Sequence, residues 1–226
     1  AHIVNKAPGK ADAAIENALQ RVPGFAPATL LRARLMAARG DAAAALALTE
    51  ELLASKPDNA QAWAFKGDLL AQGKGANEPA SAIVAYRKAL GLKPDLVQAH
   101  VGVLTLLVEQ RDFEAVGKQL DELKKALPRH PETQYFEGVL ALSKGDAKKV
   151  RDITAALLRG SQQDPRVLVL AGQAEILLNS MTQAETLLGK AVQLAPEAQP
   201  PRRMLAQVYL NSGQADKALA ILKPLL

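Results

Sequence analysis

The sequence predicts an all-α chain, an α-solenoid of stacked helix–turn–helix repeats, on three observations. Alanine and leucine dominate a chain of 226 residues that is 49% hydrophobic and only 4% aromatic. That mixture favours closely packed helices and is poor in the β-branched and aromatic residues that strands use. Marks of small residues and prolines return at intervals near 34 residues. Turn signals stand between the marks and divide each period into two stretches of helical length.

The first series of marks is an alanine, a small or apolar residue seven positions on, and a proline five further. It occurs as Ala11, Ala18, Pro23; as Ala45, Leu52, Pro57; as Ala82, Ala89, Pro94; and as Ala184, Ala191, Pro196. The shift is 34 residues between the first two copies, 37 between the second and third, and three times 34 from Ala82 to Ala184. Degenerate copies fill that interval, Val116 with Leu123 and Pro128, then Val150 with Leu157, and a last one begins at Ala218. Small residues form a second series at Ala33, Gly67, Gly138, Gly172 and Ala206. Between the two series lie the turn signals Gly40-Asp41, Gly73-Lys74-Gly75, Arg111-Asp112, Gly145-Asp146, Asn179-Ser180 and Gly213-Gln214.

The residue types fit the spacing. Antiparallel helices approach closely only where the contact residues are small, which accounts for the Ala and Gly marks. Trp63, Phe65, Tyr86, Phe113, Tyr135, Phe136 and Tyr209 are expected to fill the gaps between layers. Proline lacks the next helical N–H, so it ends each second helix and sets the corner to the next repeat. No single repeat can bury its apolar face; stacking does it.

This pattern resembles the tetratricopeptide repeat, whose signature is Trp-x-x-Leu-Gly-x-x-Tyr followed by Ala-x-x-x-Phe-x-x-Ala-x-x-x-x-Pro. The best copy here is Trp63, Lys66-Gly67, Leu70, Ala82, Tyr86, Ala89, Pro94. The resemblance places a partial repeat at 1–25, repeats at 26–59, 60–96, 97–130, 131–164 and 165–198, and a truncated one at 199–226. It covers nearly the whole chain as a single solenoid and implies a right-handed superhelix. Three extra residues in the second repeat are placed by register in the Lys74–Pro79 turn. Gly91 and Gly117 fall inside second helices and should weaken each by roughly 0.5–1 kcal/mol relative to alanine. Val116 and Val150 replace the alanine mark, so slightly wider helix spacing is expected there.

No residue pattern carries chemistry. The chain has no cysteine, which excludes a disulfide framework, a thiolate zinc site and a cysteine nucleophile. Of three histidines, His100 takes the signature tryptophan position and reads as a packing residue, His130 sits in the Pro128–Pro131 corner, and His2 lies in the terminus. The serines fall in turns or on helix surfaces, without Gly-x-Ser-x-Gly. Gly73-Lys74-Gly75 lacks the phosphate-loop frame. Glu50-Glu51 and Asp121-Glu122 are sequential and cannot face each other as a catalytic pair. The chain is therefore read as no enzyme, with no metal and no cofactor. Its formal charge of +5 is dispersed among acidic residues, which argues against a nucleic-acid partner. Lys148, Lys149, Arg151 and Arg159, near Lys124, Lys125 and Arg129, form the one basic cluster; a solvated surface is its simplest reading, an acidic polysaccharide the other. The apolar run Val101–Val108 is too short to span a bilayer, and the first residues do not resemble a signal peptide.

In tetratricopeptide arrays the first helices line a concave groove, and the resemblance implies which positions point into it. These are Leu30, Arg34 and Ala37; Ala64, Asp68 and Ala71; Val101, Thr105 and Val108; Tyr135, Val139 and Leu142; Val169, Gln173 and Ile176; Arg203, Gln207 and Leu210. The family's Lys/Asn carboxylate clamp is absent from them, so a free acidic C-terminus is not the expected ligand. The lining suits an apolar helix or extended segment of a protein partner; alternatively it meets another part of the same solenoid. Several phrases, among them Phe136–Asp146, Leu170–Ala174 and Ala220–Leu225, resemble the long tetratricopeptide lipoproteins of the PEP-CTERM/exosortase system. That resemblance implies a scaffold in bacterial exopolysaccharide production or protein sorting. It also implies a periplasmic or outer-membrane-anchored location, with any membrane attachment through a lipid anchor outside these residues. The alternative is the non-catalytic arm of a larger enzyme such as a glycosyltransferase. Arrays of this kind need polar caps, and the chain opens inside a helix pattern and closes on Ile221-Leu222-Lys223-Pro224-Leu225-Leu226, so it reads as a piece of a longer array. Its bare ends are expected to self-associate; light scattering should show a mass that rises with concentration, and a strict monomer throughout would contradict this.

Overall fold

The structure is a computed structural model that describes residues 8–73, 78–160 and 164–225. Among these residues there are thirteen α-helices, a closing 3₁₀ turn and no strand. The helices are α1 (Pro8–Arg21), α2 (Ala26–Ala38), α3 (Ala42–Ser55), α4 (Ala60–Ala71), α5 (Glu78–Leu92), α6 (Val97–Glu109) and α7 (Phe113–Ala126), then α8 (Pro131–Ser143), α9 (Ala147–Gly160), α10 (Pro165–Leu177), α11 (Met181–Leu194), α12 (Gln199–Asn211) and α13 (Ala215–Leu222). The chain divides into two compact units, Ala1–Ala115 and Val116–Leu226. In the first, α2 packs on α3 and α4 on α5; in the second, α8 packs on α9, α10 on α11 and α12 on α13. Most of the three-residue insertion and the Gly73-Lys74-Gly75 motif lies outside the described residues, as do His2 and Ser161. Among the described residues no helix is long and apolar enough to cross a membrane.

One turn recurs between the first and second helix of a pair. Arg111, Gly145, Asn179 and Gly213 follow at 34-residue intervals, and with Gly40 all have φ between 56° and 93°. In each case the next residue donates its N–H five residues back: Asp41 to Met36, Asp112 to Leu107, Asp146 to Ala141, Ser180 to Glu175 and Gln214 to Tyr209. This is the 6→1 bond that closes a helix over a left-handed residue. Three of those residues then open the following helix. The carboxylates of Asp41, Asp112 and Asp146 accept N–H bonds from Ala44, Ala115 and Lys149 at 3.1, 3.0 and 3.2 Å. A single aspartate thus satisfies orphan groups of two helices.

The corner between repeats has its own device. The Trp63 indole N–H donates to the Pro57 carbonyl at 2.9 Å, and His100 Nε2 bonds the Pro94 carbonyl at 2.8 Å. Arg202 donates to the Pro196 carbonyl through Nε and Nη2 at 2.9 and 2.8 Å. All three span six residues. His100, only 2% exposed, is therefore the signature tryptophan's substitute in chemistry as well as in position. His130 accepts the Glu132 N–H at 3.1 Å and starts α8.

Layers meet where a first helix lacks side-chain bulk. A Cβ on Gly67 would stand 2.6 Å from the Tyr86 ring, and one on Gly102 would collide with the same ring; one on Gly172 would stand 2.6 Å from Leu188. Where α2 carries Ala33 instead, the residue matching Tyr86 is the smaller Thr49, whose buried hydroxyl bonds the Ala45 carbonyl at 2.7 Å. Tyr86, Phe65 and Phe136 are buried, and Val116 and Val150 are fully so. Gly91 lies within α5 and Gly117 within α7, and a Cβ on Gly91 would meet nothing within 4 Å.

Two measurements test this packing. A left-handed non-glycine residue costs roughly 1–2 kcal/mol, so Arg111→Gly should raise the unfolding free energy from urea titration by ~0.5–1 kcal/mol after the entropy of the added glycine is offset; Gly145→Ala should lower it. Gly102→Ala should destabilise by about 1–3 kcal/mol through overpacking against Tyr86, whereas Gly91→Ala should be neutral or stabilising.

Candidate partner-binding faces of the first helices

Within each unit the first helices of neighbouring repeats touch: α4 with α6 in the first unit, α8 with α10 and α10 with α12 in the second. The second helices α3 and α5, or α9 and α11, share no contact of that extent among the described residues. The closer spacing puts the first helices on the inner side of each unit, and a residue there is accessible only where a neighbouring first helix does not cover it.

That condition corrects two expected groove residues. Leu30 is 5% exposed and packs with Ala33, Leu52 and Phe65. Ala64 has no exposure at all on a helix that α6 also touches. Both belong to the core, and a partner cannot reach them. Arg34 and Thr105 are exposed and Val101 is half-buried, with the Arg34 guanidinium 5.4 Å over the Phe65 ring.

Asp68 is half-buried and engaged within the protein. It accepts the Tyr86 hydroxyl at 2.8 Å and the Gln98 amide, so one carboxylate joins α4, α5 and α6. Burial raises its pKa above the ordinary 3.8, against the lowering effect of those hydrogen bonds and of Arg34. Burial also drives the Tyr86 hydroxyl far upward, reinforced by the Asp68 charge.

In the second unit Tyr135, Val139, Val169 and Gln173 are half-buried, with Leu142 and Ile176 beside them, while Arg203 and Gln207 are exposed. Arg203 bonds Gln199 at 3.1 Å and Gln207 bonds Asn211 at 2.8 Å, each on its own helix. The surface is an apolar floor with a polar border on α12. Leu177 on α10 and Leu210 on α12 are 59% and 53% exposed. Leu177 escaped sequence reasoning, because one helical step of about 100° turns it away from the expected position Ile176. Arg166 stands 4.9 Å over the Tyr135 ring and donates to Glu132 at 2.7 Å and Asp164 at 2.8 Å. Burial alone would raise Asp164, but the hydrogen bonds from Arg166 outweigh it and hold the carboxyl below its ordinary value. Burial likewise raises the Tyr135 hydroxyl.

Three of the seven residues of the basic cluster are held in ion pairs. Arg151 grips the buried Glu175 through two bonds of 2.7 and 2.5 Å, Lys124 pairs with Glu137 at 2.7 Å, and Lys125 with Glu122 at 2.8 Å. Among the described residues no group of three His, Cys, Asp or Glu side chains could hold a metal ion.

A sequence profile of the tetratricopeptide repeat matches residues 5–69 and 176–226. The chain belongs to the tetratricopeptide repeat family. Its fold is similar to a chain of the APC/C hetero-tetramer Cut9–Hcn1, at 17% identity and a TM-score of 0.83 over 95% of this chain and 42% of that one. It is also similar to PilW, a type IV pilus biogenesis factor, at 17% identity and a TM-score of 0.71, covering 88% of this chain and 92% of that one. The PilF protein of Pseudomonas aeruginosa gives 18% identity and 0.68, covering 88% and 91%. At these identities the likeness is one of fold, and the chain spans less than half the length of the Cut9–Hcn1 chain. No curated protein sequence matches it. Tetratricopeptide repeats are protein-interaction scaffolds, and no catalytic family is indicated for these residues.

Asp68 gives a pH test. In the unfolded chain its carboxyl ionises near 3.8, in the native state higher. Below both values it contributes nothing; as pH rises between them the unfolded form ionises first, so the native state loses stability and stays disadvantaged above. Asp68→Asn should therefore gain in melting temperature relative to wild type as pH rises from 3 to 7. A constant difference would show that the carboxyl is not held in the buried network.

Proposed function

We propose that this chain is a non-catalytic scaffold that holds an apolar segment of a protein partner along the first-helix face of its second unit. The carrying observation is that Leu177 of α10 and Leu210 of α12 are 59% and 53% exposed in a unit whose first helices also carry the half-buried Val139, Val169 and Ile176. Large apolar side chains more than half exposed beside other apolar residues mark interaction surfaces. An amphipathic helix or extended segment is the partner geometry that such a face takes, with Gln173, Gln207 and Arg203 supplying polar contacts at its border. The first unit contributes less, since Leu30 and Ala64 are buried and Asp68 is committed to Tyr86 and Gln98.

The setting we propose is the bacterial cell envelope, in a machine for exopolysaccharide export or protein sorting. Its support is phrasing that resembles the PEP-CTERM-associated tetratricopeptide lipoproteins; the type IV pilus biogenesis factor PilW, of similar fold, is compatible with an envelope role.

Photo-crosslinkers placed at Gln173, Leu177 and Leu210 of the full-length protein in its native cells should capture one protein in common, and one at Lys190 on α11 should not. A peptide from the captured protein should bind the purified chain, and Leu177→Glu with Leu210→Glu should weaken it at least tenfold, about 1.4 kcal/mol. Equal capture from Lys190, or binding indifferent to both substitutions, would overturn the assignment of the face.

A further inference from the structure

Along α5 the residues Val84, Arg87, Lys88, Gly91 and Leu92 follow at helical spacing, and all five are exposed. They form one stripe, and with Trp63 of α4 they line an open cleft of about 600 Å³ in the first unit. Val84 and Leu92 are large apolar side chains left 58% and 46% exposed. The Trp63 ring is half-buried and its N–H is engaged by the Pro57 carbonyl, so what it presents to the cleft is apolar surface. Gly91 adds depth. A glycine weakens a helix relative to alanine, and packing does not require one here, since a Cβ would meet nothing within 4 Å.

The charge of the stripe is one-sided. Among the described residues neither Arg87 nor Lys88 has a carboxylate partner; the Lys88 ammonium lies 5.7 Å over the Trp63 ring. α5 carries no acid beyond Glu78 in its first turn. Asp68 of α4 is held by Tyr86 and Gln98, and Glu50 of α3 is paired with Lys66 at 2.6 Å. The adjoining corners are balanced, Lys56 with Asp58 and Lys93 with Asp95. Repeat register shows that the stripe is peculiar to α5. The positions of Arg87 and Lys88 are Glu50 and Glu51 in α3, Asp121 and Glu122 in α7, Ala155 and Ala156 in α9, and Gly189 and Lys190 in α11. The position of Val84 is Ala47, Lys118, Asp152 and Thr186 in the same helices.

We propose that the α5 cleft is a second docking surface, which takes an acidic amphipathic segment of a protein partner. Its apolar side chains lie over Gly91 beside Trp63, Val84 and Leu92, and its carboxylates meet Arg87 and Lys88. Exposed apolar groups grouped beside unpaired cations favour a ligand that carries both features, and charge complementarity sets its sign. This surface belongs to a second helix of the first unit, so it goes beyond the first-helix face of the second unit and does not depend on it.

Trp63 is the one tryptophan of the chain, so the fluorescence of the whole protein reports this cleft. An amphipathic peptide of Leu, Ala and Glu should change the emission saturably, with Kd on the order of 0.1 mM. Its counterpart with Lys in place of Glu should bind at least tenfold more weakly, as should polyglutamate, which has the charge without the apolar face. Gly91→Met should fill the cleft and weaken the acidic peptide at least tenfold, with the melting temperature unchanged or higher. If that variant does not fold, Arg87→Glu with Lys88→Glu changes only exposed positions and should reverse the preference between the two peptides. No saturable change with the acidic peptide, equal binding of either control, or an unaltered titration in the variants would each overturn the proposal. Emission that changes with chain concentration alone, an effect lost in Gly91→Met, would assign the cleft to a second copy of this chain and overturn it too. Leu177→Glu with Leu210→Glu should leave the titration unchanged, so its failure would remove the α5 surface alone.

Discussion

The Tyr86 ring stands in a space that exists only because two first helices present no Cβ to it, at Gly67 and Gly102. Helix axes can come close only where side chains are absent, and the room so made must be refilled from another helix to keep crystal-like density. In the first unit one residue of α5 does this for α4 and α6 together, and its hydroxyl reaches Asp68, which holds Gln98 as well. In the second unit Leu188 fills the place made by Gly172. Gly138, by contrast, is approached most closely by Leu170 of the next first helix, with Ile153 of its own second helix behind it. Layer stacking, burial of the first helices and access to their inner face all follow from how these gaps are filled.

The connections are as constrained as the layers. A left-handed residue followed by an aspartate closes one helix and caps the next, so there is little freedom in the angle between them. In five of the pairs the two helices are joined by three residues, and the next pair is set by a corner that a first-helix side chain pins at Trp63, His100 and Arg202. Partner-facing residues thus sit on elements positioned by backbone hydrogen bonds rather than on loops, which suits a surface that must hold its shape before a ligand arrives.

Much of this was legible in the sequence, and the limits have physical causes. The all-α fold and the helix pairs follow from marks spaced by the repeat itself, and even the left-handed turns at Arg111 and Asn179 were visible as Arg111-Asp112 and Asn179-Ser180. The inner face was read less well. Whether Leu30 or Ala64 is open depends on how near the adjoining first helix comes, a distance that no local pattern encodes. Asp68, expected in the groove, is drawn to a tyrosine on the next helix and a glutamine of the next repeat, partners that a reading of α4 alone does not supply. Leu177 lies one helical step from Ile176, off the face that the groove positions mark.

The corner bond has a consequence for how such a chain can change. Its acceptor is a main-chain carbonyl, which no substitution removes, while its donor has been an indole in one repeat, an imidazole in another and a guanidinium in a third. The joint is inherited with the backbone, and the side chain that reaches it is replaceable by anything of suitable length carrying an N–H. Sequence identity can drain from that position without loosening the architecture, which leaves the charge and bulk displayed there open to selection by whatever the array meets.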